Sequence, residues 1–149
     1  MIATFPQHRP QAWAWAFAPD VKRRPTIVMI EDDAAIAEMY RRQLSIDGLR
    51  VLIAGDGSRG LDLIRSARPD LVLLDILLPE VEGFTVLERM RQDAGLAAIP
   101  VIVLSNYGEP EMLRRALAGG ALDYLVKAST TPVQLSARIR RWLGSKTDD

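Results

Sequence analysis

The chain has 149 residues, with 19 Lys plus Arg against 19 Asp plus Glu, one His and no Cys. That length suits one domain with a full hydrophobic core, and the missing cysteines exclude a disulfide scaffold, a thiolate metal site and a cysteine nucleophile. The lone His8 excludes a multi-histidine metal cluster and argues against Ser-His-Asp chemistry, and zero net charge argues against broad nucleic-acid binding.

Residues 1–24 are expected to form a flexible tail. Its apolar stretch, Ala12 to Ala18, is followed by Lys22, Arg23 and Arg24 instead of being preceded by them, the wrong order for a signal peptide. No apolar run approaches the roughly 18 residues that mark a membrane span, so cytoplasmic residence without membrane insertion is expected. Trp13, Trp15 and Phe17 read as exposed aromatics of that tail, with docking on a partner or on the domain's own surface as the alternative.

From Pro25 onward, short apolar runs alternate with segments of helical spacing. Strands are expected at Thr26–Ile30, Arg50–Ala54, Leu71–Leu74, Val101–Leu104 and Tyr124–Val126. The first helix carries Ile36, Met39, Tyr40 and Leu44 on one apolar face, and Gly48 stops it. The second runs from about Ser58 to Ala67 before Pro69, and the third carries Phe84, Leu87 and Met90. The fourth opens at Pro110 and closes at Gly119-Gly120. The fifth opens with Thr131-Pro132-Val133-Gln134, a capping box with proline at the first helical position, and buries Leu135, Ile139 and Trp142. Five strands alternating with five helices imply a doubly wound parallel sheet covered on both faces, of the flavodoxin-like (βα)5 class with strand order 2-1-3-4-5. The domain is expected to span 25–144, with 145–149 as a C-terminal tail.

Chemistry-bearing residues stand at the carboxyl ends of four strands. Strand one runs into Glu31-Asp32-Asp33, strand three into Asp75, strand four ends at Ser105 and strand five at Lys127. In open α/β sheets this is where ligands bind, and in the 2-1-3-4-5 order strands one and three are neighbours. Asp33 is read as the cap of the next helix. Asp75 interrupts a very apolar stretch, so its charge needs partners. Three gathered carboxylates need a compensating cation, and an all-oxygen donor set suits Mg²⁺, which keeps waters free for a phosphate oxygen. Lys127 supplies a compact second positive charge in a chain with sixteen Arg and three Lys. A carboxylate nucleophile, a metal, a cation and a hydroxyl together describe phosphoryl transfer onto an aspartate.

The segments TIVMIEDD, LVLLDILLPEVEG, VIVLS and DYLVK, in this order and spacing, resemble the receiver domain of bacterial two-component response regulators over about Pro25 to Leu143. The resemblance implies that Asp75 is the phosphoryl acceptor, that Asp32 binds Mg²⁺ directly and Glu31 through water, and that the Leu77 backbone carbonyl adds a ligand. It implies that Ser105 holds the phosphoryl group, that Lys127 bridges to it, and that Tyr124 is an aromatic switch turning inward with Ser105. Pro79 and Gly83 match the loop after the acceptor. Two departures stand out: Lys127 is followed by Ala128 where the family usually has proline, and Asn106 replaces a small residue after Ser105. Side chains two positions after the acceptor and after the hydroxyl tune hydrolysis in this family. Here they are Leu77 and Tyr107, which implies slow self-dephosphorylation.

Only Gly144 to Asp149 follow the fifth helix, so a stand-alone receiver is expected, signalling to a downstream protein target rather than to nucleic acid. Its output surface is expected on the fourth helix, fifth strand and fifth helix, where Arg114, Arg115, Arg138, Arg140 and Arg141 form either a docking patch or a solvated basic face. The phosphodonor is expected to be a sensor histidine kinase or a histidine phosphotransfer protein, and the only catalysis self-phosphorylation and self-dephosphorylation. A receiver-like interaction module that ignores phosphate is the alternative. An aspartate-based phosphatase is disfavoured, because Leu77 stands where such enzymes carry a second Asp.

Overall fold

The structure, a computed structural model, describes residues 24–78 and 82–147. The Trp-containing segment and Pro79 lie outside the described residues. Five strands, β1 (Thr26–Ile30), β2 (Arg50–Ala54), β3 (Leu71–Leu74), β4 (Val101–Ser105) and β5 (Asp123–Val126), alternate with five helices, α1 (Ala34–Ile46), α2 (Gly57–Ala67), α3 (Gly83–Gln92), α4 (Pro110–Ala118) and α5 (Pro132–Thr147). All pairings are parallel and the order is β2-β1-β3-β4-β5, as the alternating pattern predicts. α5 continues past residue 144, where the sequence reading ended the domain; Gly144 weakens a helix without stopping it.

Alternation along the strands divides the core in two. Val28, Ile30, Val72, Leu74, Val101 and Val103 face one way and meet α2, α3 and α4 through Leu61, Ile64, Phe84, Leu87, Met90 and Ala116. Ile27, Met29, Leu71, Leu73, Ile102 and Leu104 face the other way and meet α1 and α5 through Ala37, Tyr40, Leu44, Leu135 and Ile139. Central strands β1, β3 and β4 therefore read as continuous apolar runs, because helices cover both faces. The edge strands β2 and β5 are only half-buried.

Helix boundaries follow local chemistry. Asp33 caps α1 by accepting from the Ala35 and Ile36 amides at 3.0 and 3.1 Å. Gly48, just past its end, has φ +91°, the left-handed turn expected of a helix stop. The buried stripe of α1 is Ala37, Tyr40 and Leu44, whereas Met39 is 45% exposed. At 3.6 residues per turn Met39 lies about 100° from Tyr40, and the small Ala37 takes the inward place beside it. α2 starts one residue before the expected Ser58, with Asp56 capping Arg59 at 2.8 Å. The capping box of α5 forms as read: Thr131 N donates to Gln134 Oε1 at 2.9 Å, and Gln134 N to Thr131 Oγ1 at 3.1 Å.

On the α1–α5 side the fully buried Ser136 hydroxyl donates to Asp47 Oδ2 at the end of α1, which also accepts from Gln43 Nε2 at 3.2 Å. The Ser136 bond first, then that of Gln43, holds the Asp47 carboxyl below its ordinary value of 3.8. A depressed carboxyl contributes stability that is full above its unfolded value and is lost as pH falls through the lower folded value. Urea midpoints measured down the acid limb are expected to show this loss in the unsubstituted chain and a shallower one in Ser136→Ala, where Asp47 loses its main partner. Identical acid limbs would contradict the linkage.

Candidate functional site

Parallel register brings the strand ends together. Ile30 pairs with Leu74, so Glu31 and Asp75 leave the sheet side by side. Ser105 pairs with Val126, so Lys127 emerges one residue beyond the Ser105 hydroxyl. Glu31 is 4% and Asp75 5% exposed, and Ser105 is fully buried.

The Lys127 ammonium holds the group together. Its Nζ lies 2.5 Å from Glu31 Oε1 and 2.9 Å from Asp75 Oδ2, with the lysine side chain 7% exposed. The remaining oxygens are also occupied: Leu77 N donates to Asp75 Oδ1 at 3.1 Å, and Asp33 N to Glu31 Oε2 at 3.1 Å. Burial pushes the Glu31 carboxyl above its ordinary value, although the Lys127 hydrogen bond and the Asp33 amide pull it back. Burial alone would lower the Lys127 ammonium, but its hydrogen bonds to Glu31 and Asp75 outweigh this and hold it above its ordinary value.

Oxygens of Glu31, Asp32 and Asp75 lie within 4.8 Å of one another. Two of these carboxylates are buried and Asp32 is exposed at the mouth. Clustered carboxylate oxygen with one open side fits a hard divalent ion that retains water, as Mg²⁺ does. Leu77, whose amide meets Asp75, is 46% exposed at the rim, as is Tyr107 at 41%, and Asn106 is exposed beside them.

The hydroxyl end continues into the surface. Tyr107 N donates to Ser105 Oγ at 3.2 Å, and the Tyr124 hydroxyl donates to the Tyr107 carbonyl. The half-buried Tyr124 ring packs against the same core cluster as Met112 of α4. Glu31, Asp75 and Lys127 thus meet directly, with Asp32 beside the two carboxylates. Ser105, by contrast, is buried at the neighbouring strand end with the Tyr107 amide as its partner, Tyr124 joins it through Tyr107, and Asp33 caps α1. Ala128 lies in a single 3₁₀ turn, Lys127–Ser129.

Two features escaped the sequence reading. Gly83, noted there only as matching the loop after the acceptor, is buried at the first turn of α3, where a Cβ would collide with the Asp75 carbonyl and come within 2.6 Å of Ile76 Cα. Glycine is needed because α3 starts directly against the acceptor's backbone. Tyr40, read only as core, sends its hydroxyl to the Thr130 carbonyl at 3.1 Å; the available signal was that a buried tyrosine hydroxyl must find an acceptor. The arginines of the expected output face are partly engaged at home. Arg114 pairs with Glu111 at 2.8 Å, Arg138 with Asp123 at 2.5 Å, and Arg115 lies 3.9 Å over the Phe84 ring.

A hollow of about 480 Å³ sits at the opposite end of the sheet, bordered by Leu71, Ile99, Pro100, Leu122, Trp142 and Leu143. It lies away from the carboxylates and plays no part in this site. Among the described residues no helix is long and apolar enough to cross a membrane.

A family model for the response regulator receiver domain matches residues 27–140. The chain is 40% identical over 119 residues to the DNA-binding dual master transcriptional regulator RpaA of Synechocystis sp., covering 80% of this chain and 49% of that protein. It is 36% identical over 126 residues to the DNA-binding response regulator MtrA of Mycobacterium tuberculosis, covering 85% of this chain and 54% of that one. The chain therefore spans about half the length of the curated relatives it matches. Among solved structures, the CheY-like response regulator receiver domain protein of Methanospirillum hungatei JF-1 superposes with a TM-score of 0.77 at 28% identity, covering 85% of this chain and 98% of that one. The BeF3-activated N-terminal receiver domain of RstA from Klebsiella pneumoniae gives 0.71 at 32% identity, covering 77% and 95%.

Removing one member of a buried charge group leaves the others uncompensated. Lys127→Met is expected to cost ~3 kcal/mol in urea unfolding, the lower end for such a loss because Glu31 can take up a proton and Asp32 opens the site to water. A cost below about 1 kcal/mol would show that the carboxylates do not depend on the lysine.

Proposed function

The chain belongs to the response regulator receiver-domain family, and from that premise we propose that it accepts a phosphoryl group on Asp75 from a phosphohistidine of a sensor histidine kinase or a histidine phosphotransfer protein. The observation that carries this reading is the Lys127 ammonium bridging Glu31 and Asp75. It presents a hydrogen-bonded carboxylate at a strand end and keeps a cation within reach of whatever is bonded to it.

In this reading an Asp75 carboxylate oxygen attacks the donor phosphorus. The new O–P bond forms as the P–N bond breaks, and the leaving electron pair stays on the donor imidazole nitrogen. Lys127 and the Ser105 hydroxyl neutralise and orient phosphoryl oxygens, which lowers the cost of the charge gathered there. Glu31, Asp32 and Asp75, with the Leu77 carbonyl, would hold Mg²⁺, which supplies further charge neutralisation at the phosphoryl oxygens when bound. Transfer and hydrolysis on Asp75 are self-catalysed, so the protein is a signalling acceptor rather than a turnover enzyme, acting in the cytoplasm where kinase donors operate.

Signal output runs from Ser105 through Tyr107 to Tyr124 and the α4–β5–α5 face, which meets a protein target. A hydroxyl drawn toward a bound phosphoryl group loosens its bond to the Tyr107 amide, and Tyr124 is tethered to the carbonyl of that same residue. The relatives' names describe DNA-binding regulators.

Incubation with Mg²⁺ and a small phosphodonor is expected to add one phosphoryl mass, lost in Asp75→Asn and on chelation. No Mg²⁺-dependent gain with a competent donor would favour the phosphate-independent interaction module instead. Leu77 offers no hydrogen bond to an attacking water, so the phosphorylated state is expected to be long-lived. Leu77→Asn should hasten its loss several-fold in a chase experiment, and an unchanged or slower rate would contradict that account.

A further inference from the structure

Tyr40 has no task in the mechanism above, yet its bonding is specific. It is 2% exposed on the inner face of α1, within the apolar cluster beneath β1 and β3. Its hydroxyl leaves that cluster and donates to the Thr130 carbonyl at 3.1 Å. Thr130 is itself tied back: its Oγ1 donates to the Val126 carbonyl at 2.8 Å and its amide to the Lys127 carbonyl at 3.2 Å. Lys127 therefore projects from a short closed turn, pinned at one end by β5 and at the other by α1.

That turn carries the ammonium reaching both Glu31 and Asp75. Its next residue, Ala128, is exposed and brings no ring to restrict the backbone, unlike the proline that the resemblance leads one to expect. An alanine at this place leaves the turn's conformation to hydrogen bonds.

We propose that Tyr40 is a positioning residue that, by holding Thr130, aims the Lys127 ammonium at the phosphoryl site in place of a proline constraint. This inference rests on the function proposed above, since it assigns Tyr40 a part in phosphoryl binding. A hydroxyl in the core of α1 then couples that helix to the far side of the acceptor pocket, though it touches neither substrate nor metal.

The experiment compares the unsubstituted chain with Tyr40→Phe, Thr130→Val and Thr130→Ser, with thermal melts confirming folding. The probes are Mg²⁺ alone, read at the carboxylate cluster, and beryllofluoride with Mg²⁺, read as a phosphoryl mimic. Beryllofluoride affinity is expected to fall roughly three- to tenfold in Tyr40→Phe and Thr130→Val, the size of one lost hydrogen bond. Mg²⁺ affinity should stay within about twofold and Thr130→Ser should behave as the unsubstituted chain, because its hydroxyl is kept. Unchanged beryllofluoride binding in Tyr40→Phe, or a parallel loss of Mg²⁺ affinity, overturns the inference. Should Tyr40→Phe fail to fold, Tyr40→Leu takes its place under the same criterion, since the Thr130 variants keep the carbonyl that Tyr40 meets. Failure of the unsubstituted chain to bind beryllofluoride overturns the proposed function itself, and this inference with it.

Discussion

One ammonium group compensates two buried carboxylates, and the rest of the structure is arranged around that compensation. Burying an unpaired ion costs several kcal/mol even after relaxation. Glu31 and Asp75 are tolerated near 5% exposure because Lys127 touches both and because backbone amides of Asp33 and Leu77 take the other oxygens. The group can assemble only if β1, β3 and β5 end at the same level. Parallel register fixes that level, and the two apolar layers that pack on the strands fix the register.

In the proposed function, the same constraint lets the site report on its occupancy. A carboxylate held by a lysine and an amide has no slack for added charge, so a new group on Asp75 must be accommodated by the neighbours that can move. Ser105 is buried, but its contact is the Tyr107 amide on an exposed loop, and Tyr107 in turn receives the Tyr124 hydroxyl. Rigid strands hold the chemistry and a loop carries its consequence outward, the usual division between scaffold and functional segment. On the opposite side Tyr40 and Thr130 fasten the Lys127 turn to α1. In the proposed account the lysine is the fixed point and the hydroxyl the movable one.

Much of this was legible in the sequence. Continuous apolar runs and glycine stops locate the strands and helices, and the strand order alone places Glu31 beside Asp75. Residues whose role is local chemistry, such as the Asp33 cap and the Thr131–Gln134 box, were equally readable. Roles set by tertiary approach were not. Met39 fits the apolar spacing of α1 but faces solvent, because the choice between Ala37 and Met39 depends on what lies opposite. Gly83 reads as a loop residue until α3 is seen to start against the Asp75 carbonyl. Tyr40 reads as core until its partner, 90 positions along the chain, is known. The arginines of α4 and α5 read as either a docking patch or a solvated basic face, and Glu111, Asp123 and the Phe84 ring engage three of them.

Backbone amide shifts on adding Mg²⁺ and beryllofluoride test the central claim most directly, because they locate the bound phosphoryl mimic without assuming where it lies. The account predicts the largest changes at Glu31 to Asp33, Asp75 to Leu77, Ser105 to Tyr107 and Lys127 to Thr130, with Tyr124 following. Changes centred on the hollow beside Leu71, Leu122 and Trp142 at the other end of the sheet, or none at all, would contradict it.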